Sequence, residues 1–145
     1  MEAQRPSGEP AIRAMAMPGD ANANGDIFGG WVLSQMDLAG GAVTAQVVQG
    51  RTATVAIEAM TFHKPVFIGD LVSCYVEVVK TGRTSVTVKI DTFAKRRFGG
   101  AEVKVTEGTF IYVAIDAEGR PRPSPCNHTA QHLIGRAPDQ RRWYV

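Results

Sequence analysis

The sequence predicts an α+β fold in which one long buried helix is wrapped by a curled antiparallel sheet of about five strands. Three observations predict it. Residues 30–50, GWVLSQMDLAGGAVTAQVVQG, are rich in helix formers and apolar around most of the helical circumference. From residue 52 onward the hydrophobic period changes to two, in four successive β-branched stretches. Those stretches are joined by short connections rich in Gly and Asp, which suit antiparallel neighbours. One helix beside such a sheet is a two-layer arrangement.

The elements follow in order. Residues 1–10 carry Pro, Gly and charge with nothing to bury, and read as a disordered segment. They contain no apolar run of the kind a signal peptide needs. AIRAMAM (11–17) reads as a short strand stopped by Pro18-Gly19. A loop rich in Asn, Asp and Gly leads into the helix, which Gly50 stops. The four long strands are TATVAIEAMTFHKP (52–65), LVSCYVEVVKTG (71–82), TSVTVKIDTFAK (84–95) and VKVTEGTFIYVAID (103–116). From Arg120 on, RPRPSPCNH breaks regular structure, and TAQHLIGRA offers one short helix. The expected domain therefore spans 11–123, with 124–145 as a C-terminal tail.

A chain of 145 residues with 44% hydrophobic content supports one soluble globular domain. The net charge of +2 does not suggest a nucleic-acid partner. Positive charge is nevertheless clustered at Lys95-Arg96-Arg97, Arg120, Arg122, Arg136 and Arg141-Arg142. Such a cluster is either a solvated face or a site for a phosphorylated ligand. Cys74 and Cys126 have no metal-ligand spacing and read as reduced thiols of a cytoplasmic protein. The longest apolar segment, 27–48, is interrupted by Ser, Gln, Asp and four glycines, so no membrane insertion is expected.

Asp37 is the sharpest single residue. A carboxylate in the middle of a largely buried helix is costly unless it is paired or used, and burial would raise its pKa. It either serves chemistry or pairs with a basic side chain from a strand. Gly40-Gly41, on the same face one turn ahead, cost roughly 1–2 kcal/mol of helix propensity compared with alanines. Their missing volume serves either a ligand slot beside the carboxylate or close packing of another backbone, such as a second subunit's helix.

The loop DANANGDIFGGW (20–31) opens like a calcium-binding EF-hand loop. Its twelfth position is Trp31 rather than a bidentate Glu, and no helix precedes it, so no metal is expected. No Gly-Lys-Ser/Thr follows, which excludes a Walker phosphate loop. What remains is a tight loop that brings Gly29-Gly30 to a helix N-terminus. Free N–H groups there carry the positive end of the helix dipole and stabilise an oxygen that becomes negative. Asp37 lies on the same face, roughly 10 Å further along the axis.

RAMAMPGDANANGDIFGGWVLSQMDLAGG (13–41) is similar to the motif of the YciA-type acyl-CoA thioesterases of the hotdog-fold superfamily. The resemblance continues through TVAIEAMTFHKPVFIGDLVSCYVEVVKTGRTSVTVKI and FIYVAIDAEGRPRP, and covers about residues 12–123. It implies the hotdog fold, hydrolysis of acyl-CoA to free acid and CoA, and dimers that build the site at their interface. It also implies a hexamer assembled as a trimer of dimers. No cofactor is implied, because CoA is part of substrate and product. The family's catalytic carboxylate falls on Asp37, as nucleophile or as general base towards water. Gly30 matches the backbone N–H that polarises the thioester carbonyl. Asn22, Asn24 and Asp26 match the family's loop, where they shape it or lie near the thioester; turn-making and helix capping are the competing reading. The chain departs from the family at Leu38-Ala39, which follow the catalytic carboxylate, and at His63. The segment RAPDQRRWYV has no counterpart.

CoA carries three phosphates, so a near-neutral protein needs a local basic site for it. The turn KTGRTS (80–85) places Arg83, Thr84 and Ser85 as contacts for the nucleotide end, with Lys64, Lys95 and Arg96 expected to converge on it. Gly29, Trp31 and Phe62 are expected near the acyl chain, Phe67 helps form the pocket floor, and the strand edge 57–62 is expected to meet pantetheine. Two other functions compete. A non-catalytic acyl-CoA sensor would have no use for Asp37. A hotdog-fold hydratase or dehydratase would want a His paired with an acid; none of His63, His128 and His132 is expected near the helix, and His63, at a strand end within reach of the ligand, reads as structural.

Overall fold

The computed structural model describes residues 5–124. Five strands and one long helix follow in the order β1 (Ile12–Met15), α1 (Gly29–Val48), β2 (Thr52–Phe62), β3 (Leu71–Thr81), β4 (Ser85–Lys95) and β5 (Val103–Ala114), with a single 3-10 turn at Pro18–Asp20. Residues 5–10 form neither helix nor strand, although Arg5 lies 3.7 Å from Glu102. The expected short helix in TAQHLIGRA, and His128 and His132 with it, lies outside the described residues.

The sheet is antiparallel throughout, in the order β1-β3-β4-β5-β2. Strands β3, β4 and β5 pair with their neighbours in sequence, as their short connections dictate. Strand β2 does not pair with β3. It crosses to the far side and pairs with β5. Helix α1 touches every strand. Five strands place the outer two about 19 Å apart, wider than a helix, so the sheet must curve around α1.

The inner faces follow the alternation. Val72 and Cys74 of β3, Val86, Val88 and Ile90 of β4, and Phe110, Tyr112 and Ala114 of β5 are buried with Val32, Met36, Ala39 and Val47 of α1. The helix itself is less enclosed than its composition predicts. Gly30, Ser34, Leu38, Ala42 and Gln46 form an exposed stripe, and Leu38 is 59% exposed. At 100° per residue, Asp37 lies where the buried and exposed faces meet. The C-terminus of α1 closes with Gln49 in the left-handed region (φ 51°). Arg122 Nη2 donates to the Val48 carbonyl at 3.0 Å, and Arg122 Nε donates to the Ile115 carbonyl at 3.2 Å. Arg122 thus belongs to a helix cap, which removes it from the supposed basic cluster.

Gly40 has a cause that neither expectation named. A Cβ at Gly40 would lie 2.2 Å from the hydroxyl oxygen of Tyr112, whereas one at Gly41 would meet that ring at 4.0 Å, an ordinary contact. The missing volume at position 40 is therefore filled by a tyrosine of the same chain. Gly40→Ala gains helix propensity but forces Tyr112 out of place. It should lower unfolding stability by roughly 1–2 kcal/mol, measured by denaturant titration. Gly41→Ala should cost nothing unless a second subunit packs there.

Candidate functional site

The loop before α1 is built by its Asx residues. Asn22 Oδ1 accepts the backbone N–H of Asn24 at 2.9 Å and of Asp26 at 3.1 Å. The oxygen that an EF-hand would turn towards calcium is thus bound to two amides. Asn22 N–H donates to the Asp26 carbonyl at 2.7 Å, and Gly25 takes φ +84°, a value that favours glycine. The Asp20 carboxylate accepts Met17 N–H at 3.0 Å. The loop is then tied down at both ends: Phe28 N–H donates to the Asp20 carbonyl at 3.1 Å and Ile27 N–H to the Val66 carbonyl at 3.0 Å. Asn22 therefore shapes the loop. Asn24 is exposed and Asp26 half-buried, and neither side chain has a hydrogen-bond partner among the described residues.

This loop delivers Gly29 and Gly30 as the first residues of α1. Phe28 supplies no side-chain cap, and the N–H groups of both glycines are exposed and without a backbone acceptor among the described residues. Space is open around Gly30, with nothing within 4 Å of an added Cβ. Beside it lies an open cleft of about 340 Å³, lined by Gly29, Val32, Phe62, Lys64 and Val66 among others. Phe62 approaches Gly29 closely, its Cζ 3.7 Å from where a Cβ would stand. Trp31 is half-buried and packs against the core. Phe67 lies under the Arg96 guanidinium, 4.5 Å from its ring centre.

Asp37, two turns along, meets hydroxyls rather than a basic partner. Thr54 Oγ1 donates to Asp37 Oδ1 at 2.6 Å. The Tyr112 hydroxyl lies 2.9 Å from the same Oδ1 and 3.0 Å from the Asp37 carbonyl oxygen, and shares its proton between them. Thr54 of β2 and Tyr112 of β5 stand directly opposite in the register, so both side chains leave the same face of the sheet. No described residue donates to Oδ2. Burial first, and then the Asp37 carboxylate, hold the Tyr112 phenol above the ordinary tyrosine range, so it stays a proton donor at neutral pH.

Sequence reasoning missed both hydroxyls. The signal for Tyr112 was its place in the inward row with Phe110 and Ala114, because a buried tyrosine needs an acceptor. Strand β2 also departs from regular pairing next to the site. Its register shifts between Thr54 and Ala56 and again between Glu58 and Thr61. Ala59, in the second shift, has φ +52°, a conformation that costs of order 1 kcal/mol for a residue with a Cβ.

The basic residues do not converge. Arg83, Thr84 and Ser85 form the β3–β4 turn, at the end of the sheet where Ser85 pairs with Val113 and α1 terminates. Lys95 and Arg96 lie at the other end of β4, roughly 33 Å away by strand rise, and Lys64 lies beside them at the helix N-terminus. Arg83 is exposed, and its carbonyl accepts the Ser124 N–H at 2.8 Å. Arg96 is committed elsewhere: it pairs with Asp70, which is 2% exposed, and donates to the Pro65 carbonyl at 3.2 Å. Removing that cation strands a buried carboxylate. Arg96→Ala should lose roughly 3 kcal/mol of stability in denaturant titration. KM for a CoA ester should not move, because the charge is engaged within the fold.

Two other chemistries can be placed. Cys74 is fully buried in the core, and burial pushes its thiol up to about 11 although Thr92 donates to it, so it offers no thiolate nucleophile. His63 Nε2 lies 3.4 Å from Glu107 Oε1, so a His–acid pair exists. A hydrogen bond from Lys104 holds Glu107 below the usual carboxylate range. His63 nevertheless lines the cleft beside Gly29 and Val32, nearer the start of α1 than the sequence reading placed it, and it makes no hydrogen bond to Asp37.

The arrangement matches known proteins in sequence and in shape. The family model of the thioesterase superfamily matches residues 24–97. The acyl-CoA thioester hydrolase YciA of Salmonella typhimurium is 49% identical over 123 residues, covering 83% of this chain and 92% of that protein. A hexameric thioesterase from Yersinia pestis is 48% identical with a TM-score of 0.79, covering 83% of this chain and 98% of its own. A hexameric hotdog-fold thioesterase of Campylobacter jejuni is 37% identical with a TM-score of 0.82, covering 91% of this chain and 100% of its own.

Proposed function

The chain belongs to the thioesterase superfamily and, within it, to the YciA-type acyl-CoA thioester hydrolases, and on that premise we propose which residues carry its reaction. It is a hydrolase that splits the thioester of acyl-CoA into a free carboxylic acid and CoA. The thioester carbonyl oxygen rests at the Gly30 N–H, where the helix dipole and an unpaired donor stabilise the charge that develops on it. Asp37 either takes a proton from the water that attacks the carbonyl carbon, or attacks that carbon itself to give a mixed anhydride that water then hydrolyses to the acid and free Asp37. On either route the carbon–sulfur bond breaks, the sulfur leaves as the CoA thiolate and takes up a proton, and one water is consumed for each acid released. No cofactor enters this scheme beyond the CoA that the substrate carries. The observation that carries the reading is Asp37 itself. Its carboxylate is held by two hydroxyls on the helix face that also presents the Gly30 N–H.

A single copy leaves the site open on one side. The exposed stripe of α1 and the free edge of β2, with Leu38, Val55 and Ile57 exposed, form an apolar margin beside Asp37. A second copy docking there about a two-fold axis, β2 against β2, covers this margin. Antiparallel pairing across that axis brings the second copy's turn 83–85 to the end of β2 where the first copy keeps Gly30 and Lys64. Arg83 and Lys64, which lie far apart in one chain, then belong to one composite site, while Arg96 stays engaged with Asp70. Past Ala59, the stretch to Phe62 faces the pantetheine arm, and three such dimers make the hexamer. No helix among the described residues is long and apolar enough to cross a membrane. A cytoplasmic location accords with the free thiol of Cys74.

The test is thiol release from a panel of acyl-CoAs, short to long, by wild type and Asp37→Asn. Release that collapses in the variant supports Asp37 in this role. Release that survives moves the chemistry away from Asp37. A folded protein that binds CoA esters and releases none would leave the sensor.

A further inference from the structure

The two hydroxyls on Asp37 do more than satisfy a half-buried carboxylate. They fall on the same oxygen. Thr54 Oγ1 and the Tyr112 hydroxyl both bind Oδ1, at 2.6 and 2.9 Å, while Oδ2 receives no donor from the described residues. A carboxylate carries two equivalent oxygens and turns freely about its last bond unless something distinguishes them. Here one oxygen is fixed by two donors from two different strands. The other is left at the seam where α1 turns to solvent.

We infer that Thr54 and Tyr112 are positioning residues that hold Asp37 Oδ1 so that Oδ2 alone meets the water or the thioester carbon. This rests on the proposed role of Asp37. The rest of the local structure serves the same placement. Gly40 is a glycine because the Tyr112 hydroxyl occupies the space of its side chain. Tyr112 also reaches the Asp37 carbonyl, so it locks the backbone of the catalytic turn together with the side chain. The facing positions of Thr54 and Tyr112 in the β2–β5 ladder set the spacing between the two donors. A donor pair of this kind lowers the barrier by holding a near-attack geometry, not by touching the substrate.

The experiment uses the full-length enzyme and the acyl-CoA that wild type hydrolyses fastest. Tyr112→Phe and Thr54→Val each remove one hydroxyl at nearly constant shape, and Thr54→Ser keeps it. Both deletions should lower kcat roughly 10- to 100-fold while KM stays within about twofold, because binding is untouched and only the reacting geometry is lost. Thr54→Ser should return kcat to near the wild-type value. Should Tyr112→Phe fail to fold, the Thr54→Val and Thr54→Ser pair carries the test alone. Wild-type kcat in Thr54→Val, with or without a lower Tm, overturns the proposal, as does a rise in KM at constant kcat. Asp37→Asn is measured alongside. An inactive Asp37→Asn beside fully active hydroxyl variants refutes the positioning role only, whereas a fully active Asp37→Asn refutes the reading on which it rests.

Discussion

Asp37→Asn should lower kcat by roughly a hundredfold to ten-thousandfold, the range that a general base or a nucleophilic carboxylate supplies. The amide is the informative substitution. Its carbonyl oxygen still accepts hydrogen bonds from Thr54 and Tyr112, so the fold keeps both contacts. Its nitrogen stands where Oδ2 stood and can neither accept a proton from water nor attack. Asp37→Ala would also deprive Thr54 of its acceptor and leave the buried Tyr112 hydroxyl with the Asp37 carbonyl alone. That cost in stability would be mixed into the loss of activity. Thiol release under substrate saturation gives kcat. Equilibrium binding of CoA to the Asn variant should match wild type and shows that the site remains assembled. A kcat within threefold of wild type would exclude Asp37 from the chemistry.

Gly30→Pro should lower kcat by roughly a hundredfold to a thousandfold, the loss seen when one oxyanion donor is removed. Proline has no backbone N–H, and the first turn of a helix tolerates it because the N–H there lacks an intrahelical partner in any case. Gly30 is the second residue of α1 and has open space around it, so the ring has room. Unfolding by denaturant should therefore place the variant close to wild type in stability. Gly30→Ala is the matching control. It retains the N–H and should retain most of kcat, with any penalty appearing in KM as the methyl group meets the ligand. Equal kcat for the Pro variant and wild type would remove Gly30 N–H from the reaction.

Local pattern carried most of the fold. The change of period after Gly50 marked the helix and the strands because side-chain spacing is a property of short stretches. Gly and Asx residues marked the turns because few residues fit there. The placement of β2 beside β5 was not legible, since a pairing over some fifty residues leaves no local trace. Asp37 stood out as a lone carboxylate in an apolar helix. A basic side chain was the alternative weighed for it, and its hydroxyl partners went unseen, because charge is visible in a sequence whereas a tyrosine in an alternating strand looks like ordinary core. Gly40 was assigned to a ligand slot or to another backbone for the same reason: Tyr112, which fills its space, lies far along the chain. The basic residues were grouped by type, and only the length of β4 shows that one chain cannot unite them.

The two donors to Asp37 sit on facing rungs of the β2–β5 ladder, and β2 is an edge strand. A slip of one residue would turn Thr54 to the opposite face of the sheet and carry its hydroxyl away from the carboxylate. Edge strands are also the part of a sheet that opens most easily. On the proposed role of Asp37, the register of one edge strand therefore sets the aim of a carboxylate on the helix, and any contact that steadies that edge, a second copy's β2 included, also steadies the reacting group.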